Sequence, residues 1–417
     1  MKVTLVSQWF PPERVKMPLV IAQGLVDLGH EVDVLTGFPN YPEGRIIAPY
    51  RLQRTQREDW APGITVHRTP LYPSHDGSLV HRSANYLSWA ATASIASATS
   101  LPRPDAFLVY SSPVTASLPT LTRRPSRRVP TALLLQDLWP DSVVGSGMAD
   151  GWLGRPVSLG LGVASRALYR RADAIGTISR GMADVLTDRG VEPDRIQLNP
   201  NWVDTSHLQP DAAKTLRQRE ELGLPPTGRV FMYAGNLGPL QNLEPLVRAF
   251  ESADDAHLVL LGDGIARSQL QRIADDLKTD NVHLPGHCPP QDVGHWLAQA
   301  DVLVLSLDDS PLLRVTMPSK VQTYLAAGRP VLAHATGDAT QVITEAGAGL
   351  AVRPGDVTGL RRAIAHFVQQ DDSALRELGR RARRAYDDEF SKDRGVQRLQ
   401  SLLDRAASVH ASRRKRR

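Results

Sequence analysis

The sequence puts a lysine where a helix start disfavours one. The stretch TMPSKVQTYLAAGRPVLA, Thr316 to Ala333, reads as a short helix running into a buried strand. Pro318 suits the first helical position, and Gly328 followed by Pro330 marks the stop. Lys320 then falls in the first turn, where a cation opposes the helix macrodipole at roughly 0.3–1 kcal/mol. Helix amides, Ser319 and Lys320 converge where a phosphate would bind, and Arg314 lies in the loop just before them. A bound diphosphate would turn the dipole cost into a charge-assisted contact. The alternative is a surface lysine paired with Asp308 or Asp309.

Other candidates also follow strand-like runs. In YAGNLGPLQNLEPL, Gly235 and Gly238 bracket a turn whose amides could bind an anion, although a steric strand–helix turn would use the same glycines. Asp137 ends the apolar run LLLQD, either as an acid facing a site or as a cap for the next helix. TGFPNYPEGRI, Thr36 to Ile46, is too long and too aromatic for a plain turn, which brings Asn40 and Tyr41 forward. There is no Asp-x-Asp triplet and no His/Cys cluster at metal-ligand spacing, so no metal or other cofactor is expected. The absence of GxxxxGK[ST] and of GxSxG argues against a P-loop ATPase and a nucleophile-elbow hydrolase.

Such residues need strands to carry them. KVTLVS, EVDVLT, FLVYSS, TALLLQD, DAIGTIS and IQLNP alternate with helical patterns. Near residue 205 the pattern resets through a proline-flanked linker. A second series follows: VFMYAG, HLVLLGDG, NVHLPG, DVLVLSL, RPVLAH and AGLAVRPGD. Strands separated by helices indicate parallel sheets, whose ligands bind beyond the carboxyl ends of the strands. The fold class is therefore α/β, with two doubly wound Rossmann-like domains over 1–204 and 205–390. A helix at about 391–410 is expected to pack back on the first domain, before a basic tail at 411–417. The long small-residue helix at 79–99 reads as core packing, with a membrane-facing surface as the minor alternative.

A chain of 417 residues with 41% hydrophobic and 22% charged content is ordinary globular material. A single cysteine, Cys288, rules out an internal disulfide and fits a reducing compartment. MKVTLVSQWFPPE reads as a strand rather than a signal peptide, and no apolar run of about 18 residues suggests a spanning helix. The net charge is +5, and the terminal RRKRR supplies five cations; without them, 44 basic residues face 44 acidic ones. That balance argues against a nucleic-acid partner. The tail and the RRPSRR cluster, Arg123 to Arg128, are either solvated charge or an attraction to anionic lipid.

The motifs WFPPE, GHEVDVLTGFPNYPEG, QDLWPDS, ISRGMADVL, NPNWVDTSHLQP, YAGNLGPLQNLEPL, LLGDG, LPGHCPPQDV and PSKVQTYLAAGRPVLA together resemble the family 4 glycosyltransferases of the two-domain GT-B fold. The chain looks most like the bacterial polysaccharide branch, which includes fucosamine transferases. The resemblance implies two domains facing a cleft, with a sugar nucleotide, usually a UDP-sugar, on the second and the acceptor on the first. It also implies transfer with retention and without metal. On the donor side it points to Gly235, Asn236, Gly238, Gln241, Gly286, His287, Arg314, Ser319 and Lys320. Where the family commonly has two glutamates eight positions apart, this chain has Val315 and Thr323. Gln322 or Glu345 is then the candidate for the ribose contact. Asn236 and Gln241 stand where the family usually pairs an Arg with a Lys. On the acceptor side, PPERVKMPL replaces the usual glycine pair and makes Arg14 and Lys16 candidates beside Asn40 and Tyr41. Asp137 and Lys320 are the expected catalytic pair.

These readings predict a retaining, metal-independent hexosyl- or N-acetylhexosaminyl-type transferase in cell-surface polysaccharide synthesis. It would work on a lipid-linked or glycan acceptor, in the cytoplasm or at the inner face of the cell membrane. The alternatives are a transferase tailoring a soluble natural product, a same-fold sugar-nucleotide 2-epimerase, and a nucleotide-sugar-binding protein without catalysis.

Overall fold

The structure is a computed structural model and describes residues 1–75, 78–122, 128–142, 154–203, 205–206, 208, 216–253 and 255–415. The chain divides into two compact units, Met1–Pro200 with Gly395–Arg417, and Asn201–Arg394. The division falls a few residues before the one expected near residue 204, and the C-terminal segment belongs with the first unit.

The first unit is built on an eight-stranded sheet. Its strands are β1 (Lys2–Val6), β2 (Glu31–Gly37), β3 (Gln56–Ala61), β4 (Ile64–Thr69), β5 (Ala106–Ser111), β6 (Thr131–Leu135), β7 (Ala174–Thr177) and β8 (Ile196–Leu198). Their order is β3-β4-β2-β1-β5-β6-β7-β8, parallel except for the antiparallel edge strand β3. Leu5 pairs with Val34 on one side and Leu108 on the other. Strands such as β5 are buried along their whole length, because helices cover both faces of a parallel sheet. The β3–β4 hairpin was not expected from the sequence; it turns at Pro62-Gly63, where Gly63 has φ +79°.

The helix Leu79–Thr99 buries Trp89, Ala93 and Ser97, as a core helix should, and leaves Val80, Leu87 and Ile95 exposed. The last helix, Lys392–Lys415, corrects the expectation of a free basic tail. Its apolar stripe, Val396, Leu399, Leu402, Leu403 and Ala406, is buried. Val396 sits so close to Gly24 that a Cβ there would meet its Cγ2 at 2.5 Å. Arg413 donates to the Ala172 carbonyl at 3.1 Å and pairs with Asp173 at 3.4 Å, so the tail's first cation is part of the fold. Of the RRPSRR cluster, only Arg128 lies among the described residues.

The second unit carries β9 (Arg229–Ala234), β10 (Ala256–Leu261), β11 (Val282–Gly286), β12 (Val302–Ser306), β13 (Val331–His334) and β14 (Gly349–Val352). They form a parallel sheet in the order β11-β10-β9-β12-β13-β14. Phe231 packs edge-on against Phe250 and Phe367, with centroids 5.3 and 6.1 Å apart, at the centre of its core. The buried Asp301 accepts from the Val230 amide at 2.8 Å and from Arg219 at 2.9 Å, which ties the small helix Leu216–Glu221 to the sheet.

Candidate functional site

In a doubly wound sheet the ligand crevice opens where the strand order reverses. In the second unit that point lies between β9 and β12. Both loops leaving it carry residues singled out by the sequence. Backbone leaves β9 at Gly235, whose φ of +140° suits glycine. A Cβ at Gly262 would lie 1.9 Å from the Gly235 oxygen, and one at Gly264 would lie 2.4 Å from that of Leu237. The Gly262 amide donates to the Gly286 carbonyl at 2.9 Å. The loops after β9, β10 and β11 thus stack backbone on backbone, and only glycine permits that approach.

Asn236 and Gln241 brace this turn rather than reaching out of it. The Gln241 Oε1 accepts from the Gly238 amide at 3.1 Å and from Asn236 Nδ2 at 3.3 Å. The loop after β12 joins in, with the Asp308 amide donating to Leu240 O at 2.8 Å. Beneath it, Ser306 Oγ donates to Gln241 O at 2.6 Å and lies 2.9 Å from His334 Nδ1. His334 Nε2 accepts from the Gly355 amide at 2.8 Å, so the proton belongs on Nδ1. Burial keeps this ring neutral by lowering its pKa to about 4, as that acceptor role requires.

Lys320 completes the cradle. The helix Ser319–Ala326 starts one residue later than read from the sequence, with Pro318 as its N-cap. No side chain caps that end. The Lys320 ammonium lies 4.7 Å above the Tyr233 ring centroid. A Cβ on Gly235 would sit 2.6 Å from its Cε and 2.9 Å from its Nζ. Burial pulls its pKa down to about 8, and no charged neighbour contributes to that shift. Asp309, one partner offered by the alternative reading, is instead held by Arg314 through bonds of 2.7 and 2.9 Å and by Thr336 at 2.7 Å. The exposed Arg314 guanidinium is therefore already matched to a carboxylate.

The remaining donor-side candidates fall in different places. Ser319 is exposed at the helix start, and Thr323 turns its hydroxyl back to the Ser319 carbonyl at 3.0 Å. Gln322 is buried; with its NH2 turned toward the helix start it reaches the Pro318 and Ser319 carbonyls at 3.0 and 3.1 Å. Its role is local. Glu345 ends the helix Asp338–Glu345 and binds Gln341 at 2.6 Å. It lies at the end of that helix remote from the strand carboxyl termini, so the ribose expectation placed there is corrected. His287 is exposed just beyond Gly286. The cradle thus unites Gly235, Asn236, Gly238, Gln241, Gly286, Ser319 and Lys320, but not Glu345.

In the first unit the strand order reverses between β1 and β5. Asp137 follows β6, and its Oδ2 accepts from Ser112 Oγ, just beyond β5, at 2.7 Å. The bond ties it to the neighbouring strand end rather than to a helix start. Burial raises the pKa of this carboxyl group, with the Ser112 bond opposing the shift. Arg189 holds the following loop by donating to Trp139 O at 3.0 Å and pairing with Asp141 at 2.5 Å.

Asn40, expected among the acceptor-side residues, does not project from its loop. It is buried and locked between Phe38 O at 3.1 Å and Asn85 at 3.2 Å. Tyr41 is partly exposed and packs on Trp9 and His75 at 5.7 and 4.5 Å. Arg14 and Lys16 are exposed, Arg14 lying 3.7 Å from Glu43. Sequence reasoning missed the residues that organise this face. Glu13 accepts from the amides of Asn40, Tyr41 and Phe10 at 2.8, 2.9 and 3.1 Å, and burial raises its pKa to about 7. The fully buried Arg68 ties Glu58 to the carbonyls of Pro11 and Gly37. WFPPE was visible as a motif, but nothing local reveals that its glutamate also binds the amides of Asn40 and Tyr41.

Each unit is thus built on a largely parallel sheet, and the second carries glycine turns and a lysine where its strand order reverses. A family model described as "Glycosyl transferase 4-like domain" matches residues 18–202, and one described as "Glycosyl transferases group 1" matches residues 214–385. The chain belongs to the glycosyltransferases built from these two domains. It is similar to WcaI of Escherichia coli (strain K12), described as a colanic acid biosynthesis glycosyl transferase, at 27% identity over 87% of this chain and 90% of that protein. Sucrose-phosphate synthase from Thermosynechococcus elongatus superposes with a TM-score of 0.71 at 16% identity, over 97% of this chain and 98% of that one. Anabaena Alr3699/HepE in complex with UDP gives 0.70 at 15% identity, over 97% and 100%. These likenesses show the GT-B fold.

Proposed function

We propose that the protein transfers a hexose or N-acetylhexosamine from a UDP-sugar to a lipid-linked or glycan acceptor in cell-surface polysaccharide synthesis, with retention and without metal. The observation that carries this reading is the half-buried Lys320 ammonium against Gly235 at the strand reversal, with no carboxylate paired to it among the described residues. A donor diphosphate supplies the missing counter-charge. In the reaction, the bond from the anomeric carbon to the diphosphate oxygen breaks while the acceptor oxygen bonds to that carbon and gives up its proton. Lys320 and the loop amides stabilise the negative charge growing on the leaving diphosphate. UDP is favoured as the leaving group because the fold neighbour HepE binds it. The polysaccharide setting follows the name of the colanic acid relative, and retention follows the family resemblance. A thermal-shift screen of nucleotide sugars tests the donor: UDP-sugars raise the melting temperature, whereas a response to no nucleotide sugar contradicts the reading.

Activity is expected to survive excess EDTA. Among the described residues no three His, Cys, Asp or Glu side chains are grouped to hold a metal, and Lys320 and helix amides can meet the diphosphate charge. Complete loss with EDTA, restored by Mg²⁺ or Mn²⁺, would overturn this part of the proposal.

Asp137→Asn is expected to lower kcat and kcat/KM together and leave UDP affinity unchanged, because Asp137 belongs to the acceptor-side unit. Burial makes its carboxylate the more basic, which suits a group that takes or orients the acceptor proton. An unchanged kcat would reduce it to a brace for Ser112.

No helix among the described residues is long and apolar enough to cross a membrane. A lipid-linked acceptor then implies work at the inner membrane face, and recovery of activity with washed membranes tests that setting.

A further inference from the structure

The first unit holds a cavity remote from Asp137. It opens at the amino end of β6, near Thr131, whereas Asp137 lies beyond the carboxyl end of the same strand. About 16 Å of strand separates the two edges. Its volume is about 540 Å³, within the range of small-molecule sites.

Three separate stretches of sequence supply its charge. Arg128 comes from the basic cluster before β6, Arg170 and Arg171 from the end of the helix Gly154–Arg171, and Arg413 and Arg414 from the last helical turn. One carboxylate of the wall, Asp173, faces them, and Glu192 lies 3.7 Å from Arg413. Asp173 is already committed to the Thr131 amide at 3.0 Å, His410 Nδ1 at 3.1 Å and Arg413 at 3.4 Å. Arg170, Arg171 and Arg414 are exposed and have no acidic partner among the described residues. Leu121, Leu133 and Leu168 form an apolar part of the wall. The buried Ser117 hydroxyl, also in the wall, has no hydrogen-bond partner among the described residues.

A fold gains nothing by placing Arg170, Arg171 and Arg414 around carboxylates that are already bonded, Asp173 to Arg413 and His410 and Glu192 to Arg195. An anion gains from it, because the planar guanidinium fork matches phosphate oxygens two at a time. The cavity is far larger than one phosphate, and its apolar wall suits a less polar body attached to the anion. We propose that this cavity is a second binding site, for a phosphate ester. Either an anionic phospholipid headgroup or a soluble phosphorylated metabolite could bring that group. The proposal goes beyond the donor reading, and its failure would leave Lys320 untouched.

The test compares the full chain with an Arg171→Glu/Arg414→Glu double variant, both carrying Lys320→Ala so that the donor cradle gives no signal. In one arm the chains are sedimented with phosphatidylglycerol-containing vesicles and with neutral phosphatidylcholine vesicles. In the other, melting is followed against glycerol 3-phosphate. A lipid source predicts binding to the anionic vesicles that falls at least about 10-fold in the double variant and fades with salt. A soluble source predicts no vesicle binding, but a rise in melting temperature that the variant loses. Equal behaviour of the two chains in both arms, whether binding or not, overturns the proposal. Arg170→Gln, which removes one exposed charge, provides a milder variant if the double one fails to fold.

Discussion

Lys320→Ala lowers kcat/KM at least about 100-fold, the effect of losing one donor to a developing charge at roughly 2.7–4 kcal/mol. The ammonium is held where only an anionic ligand would repay its position. It opposes the helix dipole, rests 4.7 Å over Tyr233 and is pulled to about pKa 8 by burial. The pH dependence has two opposite signs. In the unfolded chain a lysine titrates near 10.4, so between about pH 8 and that value the unfolded state holds more protons. Lys320 therefore lowers stability below its folded pKa, and the deficit is relieved as pH rises. Activity runs the other way, because deprotonation above about pH 8 removes the charge the diphosphate needs. Steady-state kinetics of the variant and a pH profile of the wild type check both. Near-normal kcat/KM in the variant would refute the phosphate role.

Gly262→Ala is expected to damage the second unit more than any other single methyl added to the cradle. Gly262 has φ +140°, and its new Cβ would stand 1.9 Å from the backbone oxygen of Gly235, which directly follows β9. Positive-φ strain alone costs about 1–3 kcal/mol, and the clash must push the β9 loop away from β10. A loss of at least about 3 kcal/mol corresponds to a fall of roughly 6–12 °C in the melting of a unit this size. UDP binding should disappear with it, because that loop carries Gly235, against which the Lys320 side chain lies. Gly29→Ala is the control: φ is +83° there, but nothing lies within 4 Å of the new atom. It should cost about 1–2 kcal/mol and leave binding intact. Calorimetric melting of the two variants decides the matter; a Gly262→Ala protein that melts like wild type would show the stacked loops to be compliant.

The sequence made the central strands legible because strands buried on both faces read as unbroken apolar runs. It made Lys320 legible because a cation in a first turn violates a local electrostatic rule. The β3–β4 hairpin was lost because its alternation is that of a half-exposed edge, although Pro62-Gly63 marked the turn. Glu13 and Arg68 were lost for another reason: beyond the nearby Phe10 and Glu58, Glu13 has its partner Asn40 27 residues away, and Arg68 has Gly37 and Pro11 31 and 57 away. Only the sheet order brings those loops together. Glu345 misled because residue type says nothing about which end of a helix faces the ligand. The helix that packs back on the first unit was legible from its apolar stripe, but its end was not, because nothing near Arg413 in sequence reveals its partner Asp173.

The central claim is that Lys320, as its ammonium, holds a nucleoside diphosphate in the cradle of the second unit. Calorimetric titration of UDP into wild type and Lys320→Ala at pH 7 and pH 9 tests it most directly. With a folded pKa of about 8, the wild type should lose about 10-fold in affinity across that interval as the binding-competent protonated fraction falls. The variant should bind at least about 100-fold more weakly at pH 7, a loss of the size expected for one charge-assisted contact in a water-poor site, and show no such slope. Equal affinities in the two proteins, with the same dependence on pH, would contradict the claim.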